Sequence, residues 1–371
     1  KPFRRPSFIS TMESSGHALL VKGCFLGLVV ASTTALASAY RRWCQRPGAP
    51  LTGNSYARGS DVIRAFPGAA TGRTYVVTGS SSGLGKHVAM LLCQEGASVV
   101  LAVRDVNAGA TFADELQALF PAQPAAHVLE LDLACLASVR KFARELRGEL
   151  EARGSQLHGL CNNAGVFQVE GVTVDGFQLL WQTNCMAPAL LTELLLPVAS
   201  NDFRVVNVSS KLHKIAPTRV AAACPPHRPG GGYADYALSK ACQVLHACDL
   251  NVRFAHQHQV SKSNTRQAFA VEPGLVQTRI MRHSSRLVAW LNYAILAPFV
   301  KTIDQGTATI MFCLLAPADH VTRGFYFEDC RVVAPSRACG DEEEAEALAK
   351  VFRQSWGSDP NFQHETSTSV S

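Results

Sequence analysis

Six short apolar runs, separated by segments with helical spacing, limit how this chain can fold. Between residues 73 and 274 they read RTYVVTG, SVVLAV, HVLELDL, LHGLCNNAG, RVVNVSS and QAFAVEPG. Continuous apolar runs are typical of strands buried on both faces, as in a parallel sheet. Intervening helical segments predict right-handed crossovers that cover both faces of the sheet. The pattern predicts one α/β domain over residues 71–357, a doubly wound parallel sheet with helices on both faces.

The segment before this domain carries the net charge of the chain. Residues 1–46 hold seven basic residues and one acidic residue, which accounts for the whole charge of +6 among 371 residues. Residues 23–40 are 18 uncharged residues followed by Arg41 and Arg42. As a helix they would span roughly 27 Å, close to the thickness of a bilayer core. We predict that this N-terminal hydrophobic segment makes residues 1–46 a membrane anchor or targeting segment; a cleaved signal peptide and an organelle transit sequence are the alternatives.

The regions around the domain allow further predictions. With Met12 as initiator, the basic residues after the apolar stretch predict a cytosolic domain. Residues 47–70 read as a linker and 358–371 as a disordered tail. The rest of the chain is neutral, which argues against nucleic-acid binding. The twelve cysteines include no C-x-x-C pair, so we predict neither a disulfide framework nor a metal site.

A glycine-rich turn follows the first predicted strand. Residues 78–85 read TGSSSGLG and lead into a helix. Glycines there permit a tight turn and let a pyrophosphate approach the N–H groups at a helix N-terminus. This strand–turn–helix context predicts a Rossmann-type dinucleotide site, although its spacing differs from G-x-G-x-x-G.

The end of the second strand bears on the choice of dinucleotide. Arg104 follows that strand, and Lys86 follows the glycine turn. An arginine there can hold a 2′-phosphate, so we favour NADP(H) over NAD(H). Asp105 keeps NAD(H) open, because an acidic residue at this place can accept from a ribose 2′-OH.

A tyrosine and a lysine stand one helical turn apart in YADYALSK. Tyr236 precedes Lys240 by four residues, which places both on one helix face. Alone this spacing is weak evidence of function. It gains weight from an ordered set of residues at or after the ends of the predicted strands, where such sheets bind ligands. The set comprises Asp132, Asn162, Asn163, Ala164, Gly165, Asn184, Ser209, Ser210, Pro273, Gly274 and Thr278.

This ordered set resembles the short-chain dehydrogenase/reductase superfamily over about residues 72–357. Its membrane-associated, retinol-dehydrogenase-like branch is the most similar. The stretches that carry this closer resemblance are LAVRD, RVVNVSS, AVEPGLVQT, RHSS, PFVKT and FYFEDC. The resemblance implies hydride transfer between NADP(H) and a carbonyl or alcohol of a hydrophobic, retinoid- or lipid-like substrate. It also implies association with a membrane, expected to be the endoplasmic reticulum, and suggests homodimers.

The resemblance assigns roles to four catalytic residues. Tyr236 would be the general acid/base, and Lys240 would lower its pKa and hold the nicotinamide ribose. Ser210, rather than Ser209, would hydrogen-bond the substrate oxygen. Asn184 would position a water that links Lys240 to solvent.

Other residues would contact the cofactor. By the same resemblance, the pyrophosphate half would meet Gly79, Ser81, Ser82, Gly83, Leu84 and Gly85, with Arg104 at the 2′-phosphate. Asp132 and Leu133 would face the adenine, and Asn162, Asn163, Ala164 and Gly165 would border the nicotinamide half, together with Tyr236 and Lys240. Pro273, Gly274 and Thr278 would close over the carboxamide. Two structural alternatives remain open: Asn162 as a brace between central strands, and Pro273-Gly274 as a plain turn.

The chain departs from the family pattern in places. After Asn184 it reads Cys-Met-Ala-Pro in place of Leu-Gly-His, and Pro188 predicts a kinked helix. Glu272 replaces the usual histidine before Pro-Gly. Residues 279–300 predict an apolar substrate lid or membrane-dipping helix, with an ordinary core helix as the alternative. A light-dependent protochlorophyllide-reductase-like enzyme and a non-catalytic cofactor-binding scaffold remain alternative functions.

Overall fold

The computed structural model describes residues 50–225, 230–276, 300–321 and 324–357. The strands are β1 Thr74–Thr78, β2 Ser98–Val103, β3 His127–Glu130, β4 Leu157–Asn162, β5 Ala199–Val208, β6 Gln267–Glu272, β7 Tyr326–Glu328 and β8 Arg331–Val332. The helices are α1 Gly59–Ala65, α2 Gly83–Gln94, α3 Val106–Leu119, α4 Leu136–Ala152, α5 Ala187–Leu195, α6 Tyr233–Val260, α7 Ile303–Leu315, α8 Ala318–Val321 and α9 Glu342–Trp356. One helical turn, Leu179–Trp181, and a π-helical turn, Gln182–Met186, precede α5.

The strands form one sheet in the order β3-β2-β1-β4-β5-β6-β7-β8. All neighbouring pairs are parallel except β7 and β8. The chain runs outward from β1 to β3 and then returns to place β4 on the other side of β1. Ligands bind such sheets at this point, beyond the carboxyl ends of the strands. The predicted doubly wound parallel sheet is confirmed.

Helices cover both faces of the sheet and create two cores. On one face, α4, α5, α6 and α9 bury residues that include Trp181 and Phe352, whose ring centroids lie 5.9 Å apart. On the other face, α1, α2, α3 and α7 bury a second cluster, in which Phe269 and Phe327 meet edge to face at 5.4 Å. The sheet is therefore shielded on both sides, as its continuous apolar strands predicted.

Part of the predicted linker is folded. Within residues 47–70, helix α1 packs on α7, and Ser60 Oγ donates to Asp304 Oδ2 at 2.8 Å. A Cβ at Gly59 would lie 2.4 Å from Thr307 Oγ1, so the two helices are in close contact. The packed domain therefore begins before residue 71.

Three predicted segments lie wholly or almost wholly outside the described residues. They are the N-terminal segment 1–46, the lid 279–300 apart from Val300, and the tail 358–371. In the part of the chain that the structure describes, no helix combines the length and apolarity needed to cross a bilayer.

Candidate active site

The glycine turn leaves the start of α2 open to an anion. Gly79 and Gly83 have φ angles of +66° and +58°, the left-handed region that favours glycine. Ser82 is the N-cap residue of α2, but its side chain makes no capping hydrogen bond, and the first turn carries no acidic residue. The first N–H groups of a helix without such a cap suit a pyrophosphate oxygen.

Thr78 joins this turn to the end of β4. Its Oγ1 accepts from the backbone N–H groups of Asn163 and Ala164, each at 3.0 Å. Asn163 Nδ2 donates back to the Thr78 carbonyl at 2.9 Å. A Cβ at Gly85 would lie 2.4 Å from Asn163 Nδ2, so glycine is needed there to keep the turn against β4. The residues present therefore fit a dinucleotide in this cradle.

Arg104 and Asp105 follow β2, and Lys86 lies near the start of α2. Arg104 is exposed directly after β2. Asp105 is the N-cap residue of α3 and accepts from the Ala108 N–H at 3.0 Å. Lys86 pairs with Glu115 at 2.7 Å. Asp105 is therefore occupied as a helix cap, and the predicted second cation, Lys86, already has a partner.

The side chains of two predicted cofactor residues are buried inside the domain. Leu133 is 5% exposed and belongs to the core that contains Trp181. Asn162 is 1% exposed, and its Nδ2 donates to Asn207 Oδ1 at 2.9 Å and to Thr192 Oγ1 at 3.3 Å. The Nδ2 of Asn162 thus joins β4 to β5 and α5, which favours the bracing role named as its alternative.

Tyr236 is half-buried near the start of α6. The Phe167 ring meets it edge to face with centroids 4.8 Å apart, and Phe167 meets Tyr233 in the same way at 5.2 Å. Burial raises the pKa of Tyr236 well above its usual range, and the charge of Glu272 raises it further. We expected Lys240 to lower this pKa. In this arrangement burial dominates, because Lys240 Nζ lies 5.4 Å from the centre of the ring and is hydrogen-bonded elsewhere.

Lys240 is tied to the end of β5. It is 4% exposed, and its Nζ donates to the Val208 carbonyl at 2.7 Å and to Gln243 Oε1 at 2.9 Å. Ser209 Oγ donates to the Lys240 carbonyl at 2.9 Å, which leaves Ser210 as the half-buried serine of the pair. Burial lowers the pKa of Lys240 to about 8. The lysine can therefore change its charge close to neutral pH.

Asn184 clamps the loop after β4 with its side chain. Its Oδ1 accepts from the Val166 N–H at 2.8 Å, and its Nδ2 donates to the Val166 carbonyl at 3.0 Å and to Ser239 Oγ at 3.1 Å. Its backbone carbonyl accepts from Gln243 Nε2 at 2.7 Å. The Cys-Met-Ala-Pro stretch that follows Asn184 spans the end of the π-helical turn and the start of α5. Pro188 lies in the first turn of α5, where a missing N–H is tolerated, so the irregularity is a π-helical turn before the proline.

His213 supports the Ser210 backbone, a role that the sequence did not reveal. His213 Nε2 accepts from the Ser336 N–H at 3.2 Å, so its Nδ1 carries the proton and donates to the Ser210 carbonyl at 2.8 Å. Burial lowers the pKa of His213, in keeping with a neutral ring. Ser210 Oγ itself accepts from the Leu212 N–H at 3.3 Å, which leaves its own proton for another acceptor.

The loop after β6 brings a carboxyl to the same edge of the sheet. Glu272 is 5% exposed, and its Oε1 accepts from the Gly274 N–H at 3.0 Å. Burial raises the pKa of Glu272 to about 7. Gly274 has φ +84°, and a Cβ there would lie 2.8 Å from Lys301 Cδ. Pro273 lies between these two residues, and Thr278 lies outside the described residues.

Comparisons with known proteins agree with this geometry. A family model described as short chain dehydrogenase matches residues 73–222. The chain is 35% identical to retinol dehydrogenase 12 of Homo sapiens over 283 residues, which cover 76% of this chain and 85% of that protein. It is 32% identical to polyprenol dehydrogenase of Mus musculus, over 73% of this chain and 80% of that protein.

Solved structures share the fold. The crystal structure of an uncharacterised protein from Mycobacterium paratuberculosis matches with a TM-score of 0.60 and 26% identity, and the match covers 82% of this chain and 98% of that one. A short chain dehydrogenase from Burkholderia cenocepacia, in complex with NADP, matches with a TM-score of 0.53 and 21% identity over 70% of this chain and 96% of that one. The chain therefore belongs to the short-chain dehydrogenase/reductase superfamily, in its retinol-dehydrogenase-like branch.

Proposed function

We propose that the protein is an NADP-dependent oxidoreductase, with Tyr236 as general acid/base, that reduces a carbonyl or oxidises an alcohol of a hydrophobic, retinoid- or lipid-like substrate. The observation that carries this proposal is the attachment of α6 to β5. The Lys240–Val208 and Ser209–Lys240 hydrogen bonds hold the helix that carries Tyr236 and Lys240 against the end of β5, which leads to Ser210. Membership of the superfamily supports hydride transfer as the reaction.

The side chains divide the chemistry among them. When bound, the nicotinamide supplies or accepts the hydride. Tyr236, whose raised pKa keeps it protonated at neutral pH, donates its proton to the carbonyl oxygen during reduction. The Ser210 hydroxyl donates to the same oxygen as negative charge develops there. Lys240 provides a positive charge below its pKa of about 8, which favours the phenolate left on Tyr236.

Replacing Tyr236 tests this assignment. Tyr236→Phe keeps the ring against Phe167 and removes the proton donor. We expect kcat to fall roughly 100- to 10,000-fold while NADPH still binds. Tyr233→Phe is the matched control, since this exposed tyrosine lies on the same helix and also meets Phe167. Equal losses in the two variants, or full activity in Tyr236→Phe, would contradict the role of Tyr236.

The preference for NADP(H) rests on the residues after β2. Arg104 is exposed and near the turn, whereas Asp105 is occupied as the cap of α3. The Burkholderia cenocepacia structure contains NADP, and the blue fluorescent protein from a metagenomic library contains NADPH. Arg104→Ala should weaken NADPH binding and leave NADH binding unchanged, measured by fluorescence titration. Arg153→Ala, an exposed arginine at the end of α4, should change neither affinity. Equal losses for both cofactors would contradict a 2′-phosphate contact.

The names of the relatives support an apolar substrate, as do the rings of Phe167 and Tyr233 beside Tyr236. Retinol dehydrogenase 12 and polyprenol dehydrogenase are named for long apolar alcohols. Detergent-solubilised protein should oxidise NADPH in the dark with retinal, fatty aldehydes or sterol ketones. NADPH binding without turnover on any of them would favour a non-catalytic scaffold, and turnover that requires light would favour the protochlorophyllide-reductase-like alternative.

We further propose that residues 1–46 anchor the protein to the endoplasmic reticulum membrane, with this domain in the cytosol and with homodimers as the expected assembly.

A further inference from the structure

A side-chain amide joins Lys240 to Asn184 inside the domain. Lys240 Nζ donates to Gln243 Oε1 at 2.9 Å, and Gln243 Nε2 donates to the Asn184 carbonyl at 2.7 Å. Gln243 is 2% exposed, and Asn184 is fully buried. We propose that Gln243 is a positioning residue of this active site, which holds the Lys240 ammonium and links it to the Asn184 carbonyl. The inference rests on the proposed function.

Pro188 makes the Asn184 carbonyl available for this contact. In a regular helix that carbonyl would accept from the N–H four residues later, but Pro188 stands there and has none. On α6, Gln243 lies three residues after Lys240, which places their side chains on one face. Glutamine has both an acceptor for the ammonium and a donor for the carbonyl, so one side chain satisfies both groups.

The amide sets how strongly Lys240 holds its proton. Within the described residues, Nζ donates to two oxygens, those of Gln243 and Val208. Loss of one such partner from a buried charged donor shifts its protonation equilibrium roughly tenfold to a hundredfold, or about one to two pKa units. The shift should favour the neutral amine, because the ammonium is the form that needs the acceptors.

Other titratable groups also face Lys240 from each element packed around it. They are Cys185 on the π-helical turn, Glu272 at the end of β6 and Tyr236 on α6 itself. Burial raises the pKa values of Cys185 and Tyr236, so both are neutral near pH 7. Glu272 ionises in the same range as Lys240, so each measurement should be repeated with Glu272→Gln in the background.

Two substitutions separate the two halves of the link. Gln243→Met keeps the approximate length and removes both polar atoms. Gln243→Glu keeps an acceptor for Lys240, adds a negative charge and loses the donor to Asn184. For carbonyl reduction, we expect the basic limb of the kcat/KM profile to move down by about one pH unit in the methionine variant and up in the glutamate variant. Gln259→Met, at the exposed end of α6, should not move it.

The same shifts should be visible without cofactor or substrate. The pKa of Lys240 is lowered from 10.5 to about 8 in the folded protein, so folding stability is lost as pH falls between those values. This loss should extend to lower pH in Gln243→Met and end at higher pH in Gln243→Glu, measured by urea unfolding across pH. Opposite shifts in folded variants support the proposal. Shifts of the same sign, or none, overturn it.

The two proposals fail in different ways. Opposite shifts in urea unfolding without any turnover would uphold the amide link and defeat the proposed function. Turnover with neither profile shifted would uphold the proposed function and defeat the link.

Discussion

Replacing Glu272 with glutamine removes a buried carboxyl that binds its proton more tightly in the folded chain. Burial raises the pKa of Glu272 from 4.5 to about 7, although Lys211 and the Gly274 N–H favour its ionised form. Because the folded pKa lies above the unfolded one, stability is lost as pH rises through this window and stays lower above it. The difference between the two pKa values corresponds to about 3 kcal/mol.

Glutamine is a close match in shape and does not titrate. It retains an acceptor for the Gly274 N–H, which in the wild type donates to Glu272 Oε1 at 3.0 Å. We expect Glu272→Gln to equal the wild type in stability near about pH 4.5 and to exceed it by up to about 3 kcal/mol at about pH 8. Urea unfolding of the cofactor-free protein at a series of pH values measures this difference.

A matched control uses an exposed carboxyl. Glu346 pairs with Lys350 on the outside of α9, so Glu346→Gln should give no gain at high pH. A Glu272→Gln difference that does not change with pH, or a variant less stable than the wild type at about pH 8, would refute the argument from burial.

Further predictions concern the glycine turn, a surface glycine and the central brace. Gly85→Ala should lower NADPH affinity roughly tenfold or more in a fluorescence titration, because its Cβ would lie 2.4 Å from Asn163 Nδ2 and force the turn apart. Gly148→Ala, in the exposed interior of α4 with no atom within 4 Å of its new Cβ, should raise the free energy of unfolding by about 1 kcal/mol and leave NADPH affinity unchanged. Asn162→Ala should lower the free energy of unfolding by about 1–3 kcal/mol in urea, because it leaves Asn207 Oδ1 without its donor. Equal NADPH affinities in the two glycine variants, or an unchanged unfolding curve for Asn162→Ala, would contradict these expectations.

The sheet was predictable where a strand is long and buried on both sides. All six predicted strands are present. β7 was missed as a strand because it has three residues and exists through its pairing with β6. Helix α1 was missed because its stability comes from contact with α7, and no local sequence pattern predicts that contact.

The site was predictable where chemistry demands a residue type at a fixed spacing. The glycine turn and the Tyr236–Lys240 pair are such cases, since their spacing is local in the chain. Asn162 ends β4 as predicted, yet its side chain points into the core, because adjacent residues in extended chain point to opposite sides. Leu133 lies in the turn after β3, and its side chain belongs to the core. Phe167 was missed because it reaches Tyr236 from the loop after β4, and His213 because its partners are backbone groups of Ser210 and Ser336, which no sequence pattern shows.

The π-helical turn that contains Asn184 and the proline that follows it, Pro188, are best understood as one feature. The sequence alone predicts a helix that is kinked at Pro188, after Asn184. In the structure Pro188 lies in the first turn of α5 after a π-helical turn, and the Asn184 carbonyl accepts from Gln243 Nε2. A buried carbonyl without a donor costs stability, and a buried ammonium without an acceptor costs more. Gln243 satisfies both groups, because its Nε2 donates to the Asn184 carbonyl and its Oε1 accepts from Lys240. We therefore expect the protonation of Lys240 to depend on Gln243 of α6 as well as on Asn184.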